Sequence, residues 1–159
     1  MTKNKILKIV LVVGGVGLIA ALLIVFYLFN KPHRNVQEAE IDFKSSATEL
    51  VAEFLSNYQA SNQKYLDDEG NSKLMAVTGK VRSITRDMNN QWVVLLKGEG
   101  DKAGVSCTFS TDTNASAEKL SVGQTVTVKG VIRSGAGYDS DLELYEDVIM
   151  EKCDVLIEK

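Results

Sequence analysis

The chain has 159 residues, with one tryptophan, two cysteines and one histidine, and its formal net charge is −3. Five of its 18 basic residues and none of its 21 acidic residues lie in residues 1–34, which leaves 13 basic and 21 acidic residues, a net charge of −8, for residues 35–159. Nucleic-acid binding relies on Lys and Arg that neutralise phosphates, so this charge disfavours it. The single histidine, His33, nearly excludes His-dependent catalysis.

Residues Ile9–Phe29 contain no charged side chain. At about 1.5 Å per helical residue this stretch is roughly 30 Å long, the thickness of the hydrocarbon core of a bilayer. A spanning segment must satisfy its backbone polar groups internally, so we expect one transmembrane helix over residues 9–29. A cleaved signal peptide is the alternative, but no small-residue cleavage site follows, and no cysteine follows the span to carry a lipid.

The charges that flank this segment predict its orientation. Three lysines precede it and two basic residues follow it, namely Lys3, Lys5 and Lys8, then Lys31 and Arg34. The positive-inside rule therefore places residues 1–8 in the cytoplasm and the C-terminal domain in the periplasm, held at the inner membrane by a single-pass signal anchor. Gly17 and Ala21 form a small-xxx-small pair, which favours a weak homodimer through the anchor.

Residues 30–44 are typical of a polar tether, in which Pro32 ends the membrane helix. Residues 45–159 then form the domain. Ser46 and Glu49 have the spacing of a capping box. The apolar residues that follow are at helical spacing and predict an amphipathic helix over Ala47–Tyr58. A second short helix is expected over Ser61–Leu66.

From Leu74 the hydrophobic period changes to two, which predicts β-strands. The predicted strands are 74–83, 91–97, 103–110 and 124–133, and a last strand or strand pair over 142–157. Polar turns separate them at 67–71, 87–90 and 98–101, and a flexible loop is expected at Gly135–Gly137. A helical turn over Asn114–Leu120 lies between the third and fourth strands. In the third strand, Val105, Cys107 and Phe109 fall on one face.

The order of elements predicts the fold class. Val77–Val81 in the first strand resembles Val128–Ile132 in the fourth, and each contains a glycine that allows a strongly coiled strand to bend. Three strands in hairpins, a short helix and two further strands is the order of the OB-fold, a five-stranded Greek-key barrel. We therefore predict a mainly β chain, with an amphipathic helix before the barrel and an N-terminal transmembrane helix.

The domain also resembles a known family over residues 46–156. The residues that carry the resemblance are Glu49–Leu50, Asn62–Leu66, Val77–Val81, Val105–Phe109, Gly123–Gly130 and Cys153. Their order and spacing are similar to those of the tRNA-anticodon-binding-like family of OB-folds, which are often membrane-anchored or secreted bacterial proteins. The resemblance implies the fold; the family name reflects that fold and does not imply RNA binding.

In an OB-fold, Cys107 and Cys153 would lie in the third and fifth strands, which are neighbours. In an oxidising compartment this arrangement favours a disulfide. Two buried free thiols are the alternative, and redox or metal chemistry is a third. Two cysteines make a poor metal site on their own, so no metal and no cofactor is expected.

Four aromatic residues are candidates for a ligand face: Trp92, Phe109, Tyr138 and Tyr145. OB-folds commonly bind through the second and third strands and the flanking loops, with aromatic rings as stacking platforms. An acidic cluster lies near two of them, at Asp139, Asp141, Glu143, Glu146 and Asp147. It lacks the glycine spacing of a calcium loop, so a solvated strand face is expected rather than a metal site.

These observations predict a non-enzymatic, membrane-tethered binding or scaffold module. We find no nucleophile–base pair, no phosphate-binding loop and no metal-ligand spacing in the sequence. The partner would be an unknown protein, peptide or small molecule outside the cytoplasm. Nucleic-acid binding, which the family name suggests, is the alternative. A haem chaperone with the same architecture would hold haem through a C-terminal histidine, which this chain lacks.

Overall fold

The structure, a computed structural model of the chain, describes residues 3–29, 36–67 and 72–156. The chain divides into two compact units, Met1–Arg34 and Asn35–Lys159. The first unit contains helix α1, Lys3–Phe29, whose side chains are described for residues 14–27. Among the residues whose side chains are described, which in α1 are 14–27, no helix is both long enough and apolar enough to cross a membrane.

Several sequence predictions fall partly outside the described residues. These are the start of the cytoplasmic segment 1–8, side chains at both ends of the span 9–29, residues 30–35 of the tether, most of the turn 67–71 and the end of the last strand. They stay predictions.

The described part of the second unit is mainly β, with three helices. Its elements in chain order are β1 (Phe43–Ser46), α2 (Ala47–Ser56), α3 (Tyr58–Tyr65), β2 (Leu74–Arg86), β3 (Trp92–Leu96), β4 (Val105–Phe109), α4 (Asn114–Ala117), β5 (Thr125–Ser134), β6 (Gly137–Asp139), β7 (Leu144–Glu146) and β8 (Val148–Val155).

Five of these strands close into a barrel. Their order is β2-β3-β4-β8-β5, and β5 pairs back to β2 to complete the closure. The β4–β8 pair is parallel and the other pairs are antiparallel. This is the topology of the OB-fold, and the prediction of a five-stranded Greek-key barrel is confirmed. The predicted proximity of the first and fourth barrel strands is confirmed as well, since Met75 lies opposite Gly130.

Helix α2 closes one end of the barrel. It begins with the predicted capping box, in which Ser46 accepts a hydrogen bond from the backbone of Glu49 and the Glu49 carboxylate accepts one from the backbone of Ser46. Leu50 and Phe54, one turn apart, are completely buried in the core. Asn57 then caps α3, which begins at Tyr58 rather than at the predicted Ser61.

Two glycines provide the space for α2. A Cβ atom on Gly79 would lie 2.9 Å from the Cβ of Ala47, and a Cβ atom on Gly135 would overlap the ring of Phe54. Real Cβ atoms do not approach other atoms so closely, so any side chain at these positions would displace the helix. The sequence predicted Gly79 as a site of strand bending; the structure adds the close approach of α2.

The described part of the predicted tether packs against the barrel. Val36 forms a small second core with Leu74 and Val131. The Lys129 ammonium, almost completely buried, donates hydrogen bonds to the backbone carbonyls of Gln37 at 3.1 Å and Ala39 at 2.5 Å. Residues Phe43–Ser46 then pair in parallel with β2. The sequence predicts a tether up to residue 44, whereas this segment is an ordered strap across the sheet.

We expect Gly135→Ala to destabilise the domain by about 1–3 kcal/mol, the usual cost of overpacking a core. The added methyl would overlap the Phe54 ring, which is completely buried, so the ring or the backbone would have to shift. Gly137→Ala is the matched control, because its Cβ would meet only the Glu146 carboxylate, at 3.7 Å. Urea unfolding of the two variants measures the difference. Equal stability of the two would contradict the packing of α2 described above.

Candidate functional site

A two-stranded hairpin stands between barrel strands β5 and β8. In it β6 pairs with β7, with Tyr138 directly opposite Tyr145. The Asp139 carboxylate accepts hydrogen bonds from the backbone N–H groups of Asp141 and Leu142, which holds the turn. The sequence predicted a flexible loop at Gly135–Gly137 and missed β6, because a strand of three residues is too short for a periodic pattern.

An open groove of about 540 Å³ lies between this hairpin and the helices. We call it the aromatic groove. Its lining comes from α2 and α3, from the loop before β4 and from the hairpin, and consists of Phe54, Leu55, Tyr58, Lys102, Ala136, Gly137, Tyr138, Tyr145 and Glu146. The rings of Tyr138 and Tyr145 are 4.8 Å apart between centroids, with an angle of 50° between their planes. Tyr138 is 55% exposed and Tyr58 is 49% exposed, so aromatic surface is available to a ligand.

Lys102 is the cation of the groove. Its Nζ lies 5.1 Å from the centroid of the Tyr145 ring and donates a hydrogen bond of 3.1 Å to the Tyr145 hydroxyl. The loop that carries Lys102 is tied to the hairpin, because the backbone N–H of Gly104 donates to Oδ1 of Asp147 at 2.6 Å. The position of Tyr145 is therefore set from two sides.

A polar cluster on α2 and α3 positions Tyr58. Oε1 of Glu53 accepts from the Lys64 ammonium at 2.7 Å, and Oε2 accepts from the Tyr65 hydroxyl at 2.7 Å. The hydrogen bond from Lys64 lowers the pKa of Glu53, and burial raises the pKa of Tyr65. The cluster holds α3 against α2, and Tyr58 is the first residue of α3.

The hairpin is strongly acidic. Residues 137–147 contain five carboxylates and no basic side chain. The carboxylates of Asp139 and Asp147 accept backbone hydrogen bonds, whereas Glu146 at the groove has no ion pair within the described part of the domain. No cluster of three or more His, Cys, Asp or Glu among the described residues is arranged to hold a metal ion.

The other two predicted ligand-face residues lie elsewhere. Phe109 is completely buried in the barrel, so its assignment to a ligand face is wrong. Trp92 begins β3 near α4, where its backbone N–H donates to Oδ1 of Asn114. Its ring is covered by the Arg86 guanidinium at 4.1 Å, and its indole N–H donates to Glu118 at 3.3 Å. Of the four predicted residues, only Tyr138 and Tyr145 come together.

A second surface lies on strands β2, β3 and β4. β2 contains three basic residues, Lys80, Arg82 and Arg86, and no acidic residue, whereas β3 and β4 contain no charged residue. Lys80 is 3.3 Å from Glu99 and Arg86 is 3.4 Å from Glu118, and both pairs are exposed. Arg82 has no ion pair within the described residues. The overall negative charge therefore conceals a cationic strip on the sheet.

The predicted disulfide is absent. Cys107 and Cys153 are free and completely buried thiols. Their strands β4 and β8 are neighbours as predicted. Cys107 lies opposite Met150 and Cys153 lies opposite Phe109, on either side of a register shift, and the two thiols are close enough to hydrogen-bond. Burial, together with a hydrogen bond to the Cys107 thiol, raises the pKa of Cys153 well above its ordinary value of 9.0.

Comparison with known proteins gives a family and a fold. The family model described as tRNA_anti-like matches residues 1–144. A solved structure from Klebsiella pneumoniae, of a protein described as a "putative nucleic acid-binding lipoprotein", is similar to this chain with a TM-score of 0.53 and 19% sequence identity. The similarity covers 79% of this chain and 99% of the Klebsiella chain. No curated protein matches the chain at a significant level.

We expect both thiols to resist modification in the folded protein. At pH 7 a thiol reagent should label native protein no faster than the domain unfolds, and should label two thiols in unreduced, denatured protein.

The raised pKa of Cys153 means that the folded state disfavours the thiolate. Stability should therefore be unaffected below about pH 9 and should fall as the pH rises further, because unfolded thiols ionise first.

Cys153→Ala is the control for this experiment. It should lower the thiol count in denatured protein to one and weaken the loss of stability above about pH 9. Rapid labelling of native protein, or denatured unreduced protein without free thiols, would contradict the buried dithiol.

Proposed function

The chain belongs to the tRNA_anti-like family, and we propose that it is a membrane-anchored binding module whose OB-fold domain takes a ligand outside the cytoplasm without catalysing a reaction. The aromatic groove is the observation that carries this proposal. The loop between the fourth and fifth barrel strands is one of the places where OB-folds bind their ligands, and here that loop has become the hairpin that forms the groove. Half-exposed tyrosine rings beside a lysine and a glutamate combine apolar contact surface with polar groups that can orient a ligand.

The membrane anchor is supported by the sequence. Ile9–Phe29 is uncharged, and the excess of lysines before it favours a cytoplasmic N-terminus. The Klebsiella protein is described as a lipoprotein, which agrees with attachment to a membrane. This chain would be attached by a single helix instead of a lipid, and Gly17 and Ala21 would allow weak pairing of two such helices.

Nucleic-acid binding is the second candidate, and the cationic strip on β2, which consists of Lys80, Arg82 and Arg86, is the observation that favours it. OB-folds that bind nucleic acid use the second and third barrel strands, which here are β3 and β4; these lie beside β2 but carry no charged residue. The Klebsiella protein carries a nucleic acid-binding description as well. The net charge of −8 for residues 35–159 opposes this function, as do the ion pairs of Lys80 and Arg86.

The proposed membrane topology predicts which reporter proteins are active when they are fused to either end of the chain. Alkaline phosphatase fused after Lys159 should be active, because the enzyme folds only outside the cytoplasm, whereas green fluorescent protein at the same place should be dark. Green fluorescent protein fused before Met1 is the control and should fluoresce. An inactive phosphatase with a fluorescent C-terminal fusion would invert the topology and restore the nucleic-acid candidate.

A titration of the full chain with single-stranded RNA and DNA at low salt separates the two candidates. We expect no tight binding, because phosphates are repelled by the acidic domain. Arg82→Ala, on the cationic strip, and Lys119→Ala, on the exposed turn after α4, form a matched pair. Tight binding that weakens steeply with salt and is lost in Arg82→Ala alone would make nucleic acid the ligand.

A further inference from the structure

We propose that the aromatic groove binds an extended, cationic segment of a partner protein, one that presents Lys or Arg side chains to the groove. This inference rests on the proposed function, since it names the ligand class of the same site. Three features carry it: the charge of the hairpin, the composition of the groove walls and the unpaired edge of β6.

Charge complementarity points to a cation. The hairpin region 137–147 holds five carboxylates without a basic residue, and Glu146 lines the groove itself without an ion pair in the described domain. The negative potential of these carboxylates attracts cations and repels phosphates and other anions. Lys102 also lines the groove and keeps its charge when it donates to the neutral Tyr145 hydroxyl, so it offsets one of the five carboxylates and about four remain in excess.

The groove walls match the shape of a lysine or arginine side chain. The half-buried Leu55 supplies apolar surface, and the exposed Tyr138 ring supplies a face for a cation. Lys and Arg bury an apolar stem while their charged end stays in contact with polar groups. A cation over a tyrosine face is favourable, and Lys102 shows the arrangement on the neighbouring ring, with Nζ 5.1 Å from the Tyr145 centroid.

The backbone of β6 favours a peptide over a small cation. Gly137 and Tyr138 of β6 line the groove. β6 pairs with β7 on one edge, and its other edge has no strand partner among the described residues. An extended peptide can add to such an edge through main-chain hydrogen bonds, with its alternate side chains entering a pocket. A groove of about 540 Å³ has room for one or two of those side chains.

The test uses the full chain in nanodiscs of phosphatidylcholine, which has no net charge to attract a cationic probe. The probe is a fluorescein-labelled hexapeptide, Lys-Thr-Lys-Leu-Lys-Thr, and its comparators carry Gln or Glu in place of every Lys. Fluorescence anisotropy measures Kd. We expect the lysine peptide to bind more tightly than the glutamine peptide and the glutamate peptide to bind least.

Two groove variants and two matched controls locate the binding. Tyr138→Ala should raise the Kd of the lysine peptide about tenfold, through loss of a cation–ring contact and apolar surface. Glu146→Gln should raise it severalfold, and less so in high salt, which screens exposed charges. The controls Met88→Ala and Asp112→Asn lie at the other end of the barrel and are exposed, so they should leave the Kd unchanged.

The outcomes distinguish this inference from the proposed function. If Asp112→Asn weakens binding as much as Glu146→Gln, the attraction is non-specific and the inference is wrong. If the glutamine or glutamate peptide binds as tightly as the lysine peptide, and this binding is weakened by Tyr138→Ala, the groove binds another class of ligand. The inference is then wrong and the proposed function stands. If no peptide responds to Tyr138→Ala or Glu146→Gln, the inference fails and the groove no longer supports the proposed function.

Discussion

The seating of α2 in the open end of the barrel is the contact on which the rest of the domain depends. A five-stranded barrel leaves apolar side chains uncovered at its ends, and here Leu50 and Phe54 cover one of them. Burial of a side chain such as Phe54 contributes about 1.5–3 kcal/mol. The same ring forms a wall of the aromatic groove, so the packing that stabilises the barrel also shapes the candidate site. Stability and binding are for this reason linked through one side chain.

The parts of the fold that follow strong local patterns could be predicted from the sequence. The spacing of Ser46 and Glu49 marks the first turn of α2. As expected, the Ser46 hydroxyl and the Glu49 carboxylate each accept a hydrogen bond from a backbone N–H group there. Strict alternation in 105–109 places Val105, Cys107 and Phe109 on one face, and all three are completely buried. That alternation already excludes Phe109 from a surface, so the residue assigned to a ligand face could have been assigned correctly from the same pattern.

The parts that depend on contacts distant in sequence could not be predicted. The segment 36–44 is rich in polar residues, yet its carbonyls satisfy the buried Lys129 and its Val36 covers Val131, more than 90 residues later in the chain. The hairpin β6–β7 could not be predicted either, because strands of three residues are too short to show an alternation of apolar and polar residues. Whether Cys107 and Cys153 meet side by side depends on a register shift between parallel strands, which no spacing in the sequence reveals.

Net charge misleads for this domain because its charges are segregated. A net charge of −8 for residues 35–159 suggests a uniformly anionic surface. In the structure, the charged side chains of β2 are all basic, β3 and β4 carry none, and the charged side chains of residues 137–147 are all carboxylates. At physiological ionic strength an exposed charge acts over about 8 Å, so each surface presents its own field to a ligand rather than the average. The two surfaces should therefore be considered separately, and only the acidic one also has a groove with exposed aromatic rings.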